Sequence, residues 1–209
     1  KTIYSWIHRG FLAVTEKVLR RKGKKPGTQE KRGRFNVKKT IKDRPQDVEN
    51  RETFGHWELD TMVSSRGQSK GCLATFVERK TRFYIAIKMD DRSKDSMFLA
   101  ISSLYNTLTS KLLKTFTVDR GKEFACFEQV ETEFGIPMYF ADAYAAWQRG
   151  SNENSNGLLR EFFPKKTDLA KVTLDKLTEA LVLINNRPRK CLGFKTPFDM
   201  FKHEIKKLI

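Results

Sequence analysis

Thr115-Phe116-Thr117-Val118-Asp119-Arg120-Gly121 is a short apolar run that ends on an acid and breaks at a glycine. It reads as a buried strand closing in a turn. Downstream, Trp147-Gln148-Arg149-Gly150-Ser151-Asn152-Glu153-Asn154-Ser155-Asn156-Gly157-Leu158-Leu159-Arg160 reads as a loop passing into a helix that carries Glu153. The 33 residues between Asp119 and Glu153 leave room for a helix, a strand and a loop, so only tertiary folding can bring the two acids together. A third acid, Asp60, lies in an earlier run, Trp57-Glu58-Leu59-Asp60-Thr61-Met62-Val63. Three carboxylates converging from separate elements require a cation among them, because unscreened like charges at that range would force a proton onto at least one.

Working outward, residues 56–63 alternate, with Trp57, Leu59, Thr61 and Val63 on one face and His56, Glu58, Asp60 and Met62 on the other. Short connections lead to strands over residues 72–78 and 82–89, which makes an antiparallel meander. Ser93 caps a helix over 94–109, with Met97, Ala100, Ile101, Leu104 and Leu108 on one stripe. After the strand ending at Asp119 come a helix over 122–134, stopped by Gly135, and a strand over 137–141. Strand-helix-strand order implies a parallel, right-handed crossover. Helices over 173–186 and from Pro197 onward complete the chain. The fold class is therefore α/β: a five-stranded mixed sheet, three strands antiparallel plus two parallel, flanked by helices in the order of the ribonuclease H-like fold.

The charge is uneven. Of a net +16 over 209 residues, residues 1–50 carry +10, with 15 Lys and Arg against 5 Asp and Glu. This layout is a near-balanced body with a basic arm, and it favours a polyanionic partner over the plainer role of a solubilising flank. Residues 20–42 contain too little apolar surface to fold alone and read as a linker lying on something acidic. The amphipathic pattern of residues 3, 6, 7, 11 and 14 begins in mid-course, so the chain reads as a fragment. The expected division is an N-terminal end over 1–19, a basic linker over 20–50, a core over 51–202 and a helix end over 203–209. Cys72, Cys126 and Cys191 have no disulfide or zinc spacing, and three histidines exclude a histidine-rich metal site. No apolar run approaches the roughly 20 residues that span a bilayer.

His56-Trp57-Glu58-Leu59-Asp60-Thr61, Val118-Asp119-Arg120-Gly121-Lys122-Glu123 and Trp147 through Asn154 together resemble the DDE transposases of bacterial insertion sequences, in particular the insertion sequence thirty family, relatives of retroviral integrases. The resemblance covers about residues 41–202. It implies a Mg²⁺-dependent polynucleotidyl transferase, with Mn²⁺ as substitute, that cuts and rejoins double-stranded DNA at transposon terminal repeats and target sites. Asp60, Asp119 and Glu153 would be its acidic triad. It also implies a homo-oligomer assembled on DNA and a cytoplasmic, nucleoid-associated bacterial setting. Two Mg²⁺ ions roughly 3.5–4 Å apart activate the attacking oxygen and stabilise the leaving one. Asp60 is then the bridging ligand, with Asp119 and Glu153 each holding one ion.

Each assignment has a rival. Glu58 shares a face with Asp60 and is an alternative ligand. Asp119 suits the start of a turn whatever its chemistry. Glu153 suits the first turn of a helix through the macrodipole. Glu123, Asp142 and Glu161 match no motif. On the Glu153 helix, Asn156 and Arg160 project the same way, placing an amide at the site and a guanidinium for DNA phosphate, with a solvated charge as the plainer reading of Arg160. Gln148, Arg149 and Lys122 are further DNA-contact candidates, and Trp147 reads as a loop anchor. A non-catalytic DNA-binding regulator and a nuclease acting on RNA–DNA hybrids are the competing functions. Deleting residues 1–45 is expected to flatten the salt dependence of DNA binding, whose slope is about −0.9 per phosphate contact on duplex DNA. Binding titrations at several salt concentrations check this, and an unchanged slope would remove the arm from the binding surface.

Overall fold

The structure is a computed structural model that describes residues 2–15, 37–65, 69–143 and 145–208. It divides into two units, residues 1–31 and 32–209. In the first, α1 (Thr2–His8) gives way to Gly10 at φ 71°. The sequence pattern continues the helix through residues 11 and 14. The left-handed glycine ends it instead, leaving Phe11 and Val14 exposed beyond the end. Most of the basic tract over 20–42 lies outside the described residues.

The second unit is built on one sheet of order β3-β2-β1-β4-β5, comprising β1 (His56–Val63), β2 (Cys72–Glu78), β3 (Tyr84–Met89), β4 (Thr115–Val118) and β5 (Met138–Phe140). The first three pair antiparallel, and β4 and β5 add on in parallel, as the ribonuclease H-like order requires. Strand alternation divides the core in two. Trp57, Leu59, Ala74, Phe76, Phe116 and Phe140 pack with α3 (Lys94–Thr107) and α4 (Phe127–Phe134). Met62, Leu73, Val77 and Tyr84 face α5 (Gly150–Phe162) and α6 (Leu174–Asn185). Burying each phenylalanine of the first cluster contributes about 1.5–3 kcal/mol.

Boundaries shift where local chemistry intervenes. β3 starts at Tyr84 because Arg82 takes φ 63° in the preceding turn, which Glu78 clamps by accepting from the Thr81 amide and hydroxyl. The helix expected over 122–134 opens as a 3₁₀ segment, Lys122–Cys126, before α4 begins. The last helix, α7 (Pro197–Lys206), is capped by Thr196 and covers the core through Phe201, which stacks on Phe83 at 4.1 Å.

Part of the stretch expected as linker joins this body. Lys39 carbonyl accepts from the Phe140 amide at 3.0 Å, and Thr40 bridges to Phe140 in parallel. Val48, in α2 (Gln46–Asn50), is fully buried, and its carbonyl accepts from Arg79 Nε. The sheet's other edge is engaged too: the Asn185 side chain donates to the Tyr84 carbonyl and accepts from its amide. Among the described residues no helix is long and apolar enough to cross a membrane, and all three cysteines are free.

Candidate active site

Register brings the first two acids together. In the parallel pair of β1 and β4, Glu58 stands opposite Thr117. Asp60 lies two residues past Glu58 in β1, and Asp119 two residues past Thr117, just beyond the end of β4. Asp119 follows the end of β4, where β1 has an antiparallel neighbour on one side and a parallel one on the other. Such switch points are where α/β sheets collect their sites. The Asp119 turn is tight: Oδ1 accepts from the Gly121 amide at 2.8 Å. A Cβ on Gly121 would come within 2.8 Å of that same oxygen and 2.4 Å of Glu123 Oε2, so a larger residue there would push both carboxylates from their present positions.

The remaining oxygens of both aspartates face one side chain. Arg149 Nη2 donates to Asp119 Oδ2 at 3.3 Å, and Nη1 lies 3.5 Å from Asp60 Oδ2 and 3.4 Å from the Leu59 carbonyl. The Arg149 side chain is 12% exposed, and its Nε is buried without a hydrogen-bond partner. Such an orphan typically costs about 1–3 kcal/mol. Burial pushes the Asp60 carboxyl above the ordinary aspartate range; Arg149 and the Thr61 amide draw it back, and Asp119 adds to the push. A carboxyl raised in the fold binds its proton more tightly there than in the unfolded chain. Its charged form therefore costs stability at neutral pH, and that cost disappears below the unfolded pKa. Asp60→Asn is accordingly expected to melt above the parent protein at neutral pH, with the gap closing as the pH falls to about 4. Thermal melts across that range check it, and a gap of the opposite sign would refute it.

α5 is lashed to the sheet by its first turn. Asn152 is fully buried, and its amide nitrogen donates to Glu58 Oε2 at 2.9 Å. Its side chain donates to the carbonyls of Glu58 and Thr75 and accepts from Thr75 Oγ1. One turn on, Tyr84 Oη donates to Asn156 Oδ1 at 2.7 Å, which turns Nδ2 toward Asp60 Oδ2 at 3.2 Å. Asn156 is therefore beside Asp60. Glu153 lies between Asn152 and Asn156 in α5, exposed and without a hydrogen bond or ion pair among the described residues.

The other candidates separate. Gln148 is occupied in closing its loop, accepting from the Asp142 amide and donating to Asp142 Oδ2. Trp147, expected to anchor that loop, is instead 76% exposed beside Arg149, because Gln148 and Asp142 close the loop without it. Arg160 is neither a solvated charge nor fully free: it donates to the carbonyls of Val63 at 2.8 Å and Phe163 at 3.4 Å. Lys122 is exposed, and Glu161 pairs with Arg187. Glu58, the alternative ligand, is 0% exposed and ion-paired with Arg79. Its remaining oxygen holds α5, so it positions the helix and does not face the site. Glu123 does border the site: it is buried, accepts from Thr61 Oγ1 at 3.1 Å, and takes Arg92 Nε at 2.6 Å. Glu123 matches no motif and Arg92 carries no signal in the sequence, because residues 61, 92 and 123 meet only in the folded chain.

The donor set suits a hard divalent cation: two carboxylates converge, an amide supports one of them, and a third acid stands one helical turn away. Among the described residues, however, no three His, Cys, Asp or Glu side chains already form a metal-holding group. The cation between Asp60 and Asp119 is a guanidinium.

Comparison with known proteins agrees with this architecture. Residues 50–146 match the integrase core domain model. The transposase InsI for insertion sequence element IS30A of Escherichia coli (strain K12) is 38% identical over 187 residues, covering 88% of this chain and 48% of that protein. The chain thus spans about half the length of that relative. Among solved structures, the catalytic core domain of BIV integrase superposes with a TM-score of 0.58 at 19% identity, covering 75% of this chain and all of that one. The HTLV-2 integrase catalytic core domain, solved in complex with magnesium, gives 0.54 at 18% identity, covering 70% and 95%.

Proposed function

We propose that this chain, whose residues 50–146 match the integrase core domain model and which is similar to insertion-sequence transposases, is the catalytic part of a transposase that cuts DNA at transposon ends and joins them to target DNA. The observation that carries the reading is the convergence of Asp60 in β1 and Asp119 just past β4, with one oxygen of each turned to the single guanidinium of Arg149. Asp60, Asp119 and Glu153 are the residues that would hold divalent ions, two Mg²⁺ in the full reading. Held there, such ions would supply neutralisation of phosphate oxygens and a lowered pKa for the attacking water or 3′-hydroxyl.

The protein's own residues set up that chemistry. The Thr61 and Gly121 amides each hold one aspartate oxygen, leaving the other free to face the site. Tyr84 fixes the Asn156 amide, and Asn156 in turn fixes Asp60. Asn152 keeps α5, and with it Glu153, at the rim where DNA arrives. Arg149, exposed Trp147 and Lys122 are the groups nearest a bound strand, with Asn156 at the metal side. Gln148 and Arg160 act mainly by holding the loop and the end of β1. The substrate is double-stranded DNA, bound by copies of the chain assembled together, and the surplus of basic residues supports that choice.

A pre-cut transposon-end duplex, a target plasmid and Mg²⁺ or Mn²⁺ test the proposal. Joined products support it. Cleavage without joining points to a nuclease, and binding without chemistry to a regulator.

A further inference from the structure

We propose that Arg149 is the resident counter-ion of this site, holding Asp60 and Asp119 together in the metal-free protein and giving up its place when a divalent cation enters. The inference rests on the metal reading above and adds to it an order of events. Both aspartates offer their outer oxygens to the same guanidinium, at 3.5 and 3.3 Å. Two cations cannot share that place, so an arriving ion and Arg149 compete for it.

The way Arg149 is held fits a side chain built to leave. Charge-assisted N–H···O bonds normally run about 2.7–2.9 Å, well short of the 3.3 to 3.5 Å seen here. Its Nε, buried, has no partner. Arg79 shows what a permanent buried arginine looks like in the same protein: its Nε donates to Val48 at 3.1 Å, and its terminal nitrogen is tightly paired with Glu58. Position points the same way. Arg149 is the last residue of the 3₁₀ segment Ala146–Arg149 and the N-cap of α5, at φ −124° and ψ 36°. Four residues on, in the same element, stands Glu153, the acid with no partner. One segment thus carries the cation already between the aspartates and the carboxylate that is not yet there. Once displaced, the guanidinium lies next to exposed Trp147, where a DNA phosphate is its natural acceptor.

The test is Mn²⁺ affinity of the intact chain without DNA, by titration calorimetry or by electron paramagnetic resonance of the free ion. Arg149→Gln is expected to bind Mn²⁺ at least about tenfold more tightly than the parent, because the competing charge is gone. In chelator it should melt below the parent, with the gap narrowing as Mn²⁺ is added. Arg149→Met, neutral and of similar length, should behave alike and serves if the glutamine variant does not melt cooperatively. Arg149→Lys, which keeps a charge, should stay near the parent. Equal or weaker Mn²⁺ binding by a folded neutral variant overturns the counter-ion role and leaves the metal reading standing. Absence of Mn²⁺ binding in the parent and both neutral variants overturns the two together.

Discussion

Glu153→Gln is expected to lower DNA cleavage and joining at least about a thousandfold, the equivalent of roughly 4 kcal/mol of transition-state stabilisation. The same substitution should leave the fold and DNA binding almost untouched. Glu153 is exposed and partnered by nothing, so its replacement breaks no hydrogen bond and opens no cavity. Surface changes of that kind fall within about 0.5 kcal/mol of the parent. The combination of full stability with lost chemistry separates a metal-holding acid from one that merely favours the start of a helix. Gel-based joining assays beside thermal melts read both quantities. Joined product at a near-parental rate would remove Glu153 from the triad.

Glu58→Ala is expected to do the reverse and destabilise the fold. The substitution leaves the Arg79 guanidinium buried without its carboxylate and the Asn152 amide without its acceptor, deep between β1, β2 and α5. Removing one partner of a buried ion pair typically costs about 3–5 kcal/mol. For a domain of this size that lowers the melting temperature by about 10 °C. Glu58→Gln should be milder, since an amide can still accept from Asn152. If Glu58 were instead the cation's ligand, the alanine variant would melt like the parent and fail only in catalysis. Differential scanning calorimetry decides between the two.

The fold was legible in the sequence because its signals are local. Alternation over residues 56–63, the Ser93 cap, the strand ending at Asp119 and the stop at Gly135 each reflect one element's own chemistry. Asp60 and Asp119 sit on separate elements, and only the fold brings both to Arg149. What stayed hidden depends on groups far apart in the chain. Nothing near Arg149 announces that it will span aspartates 89 and 30 residues away. Glu58 and Asp60 look alike on one strand face. Only packing shows that one is sealed against Arg79 while the other opens to the site. Residues 37–50 have linker composition, yet a few contacts, from Lys39, Arg44 and Val48, suffice to dock them. Trp147 was misjudged because a large aromatic is usually buried, and here the loop is closed by a glutamine.

The borders of the sheet bear on how copies of this chain can meet. At β5 the Met138 and Phe140 amides are already taken, one by the Glu131 carboxylate and the other by the Lys39 carbonyl. At β3 the Asn185 side chain occupies the Tyr84 backbone on both its donor and its acceptor. Backbone groups engaged in this way cannot template a sixth strand, which protects the protein from edge-to-edge aggregation. A strand from another chain therefore finds those positions of the two edges already occupied.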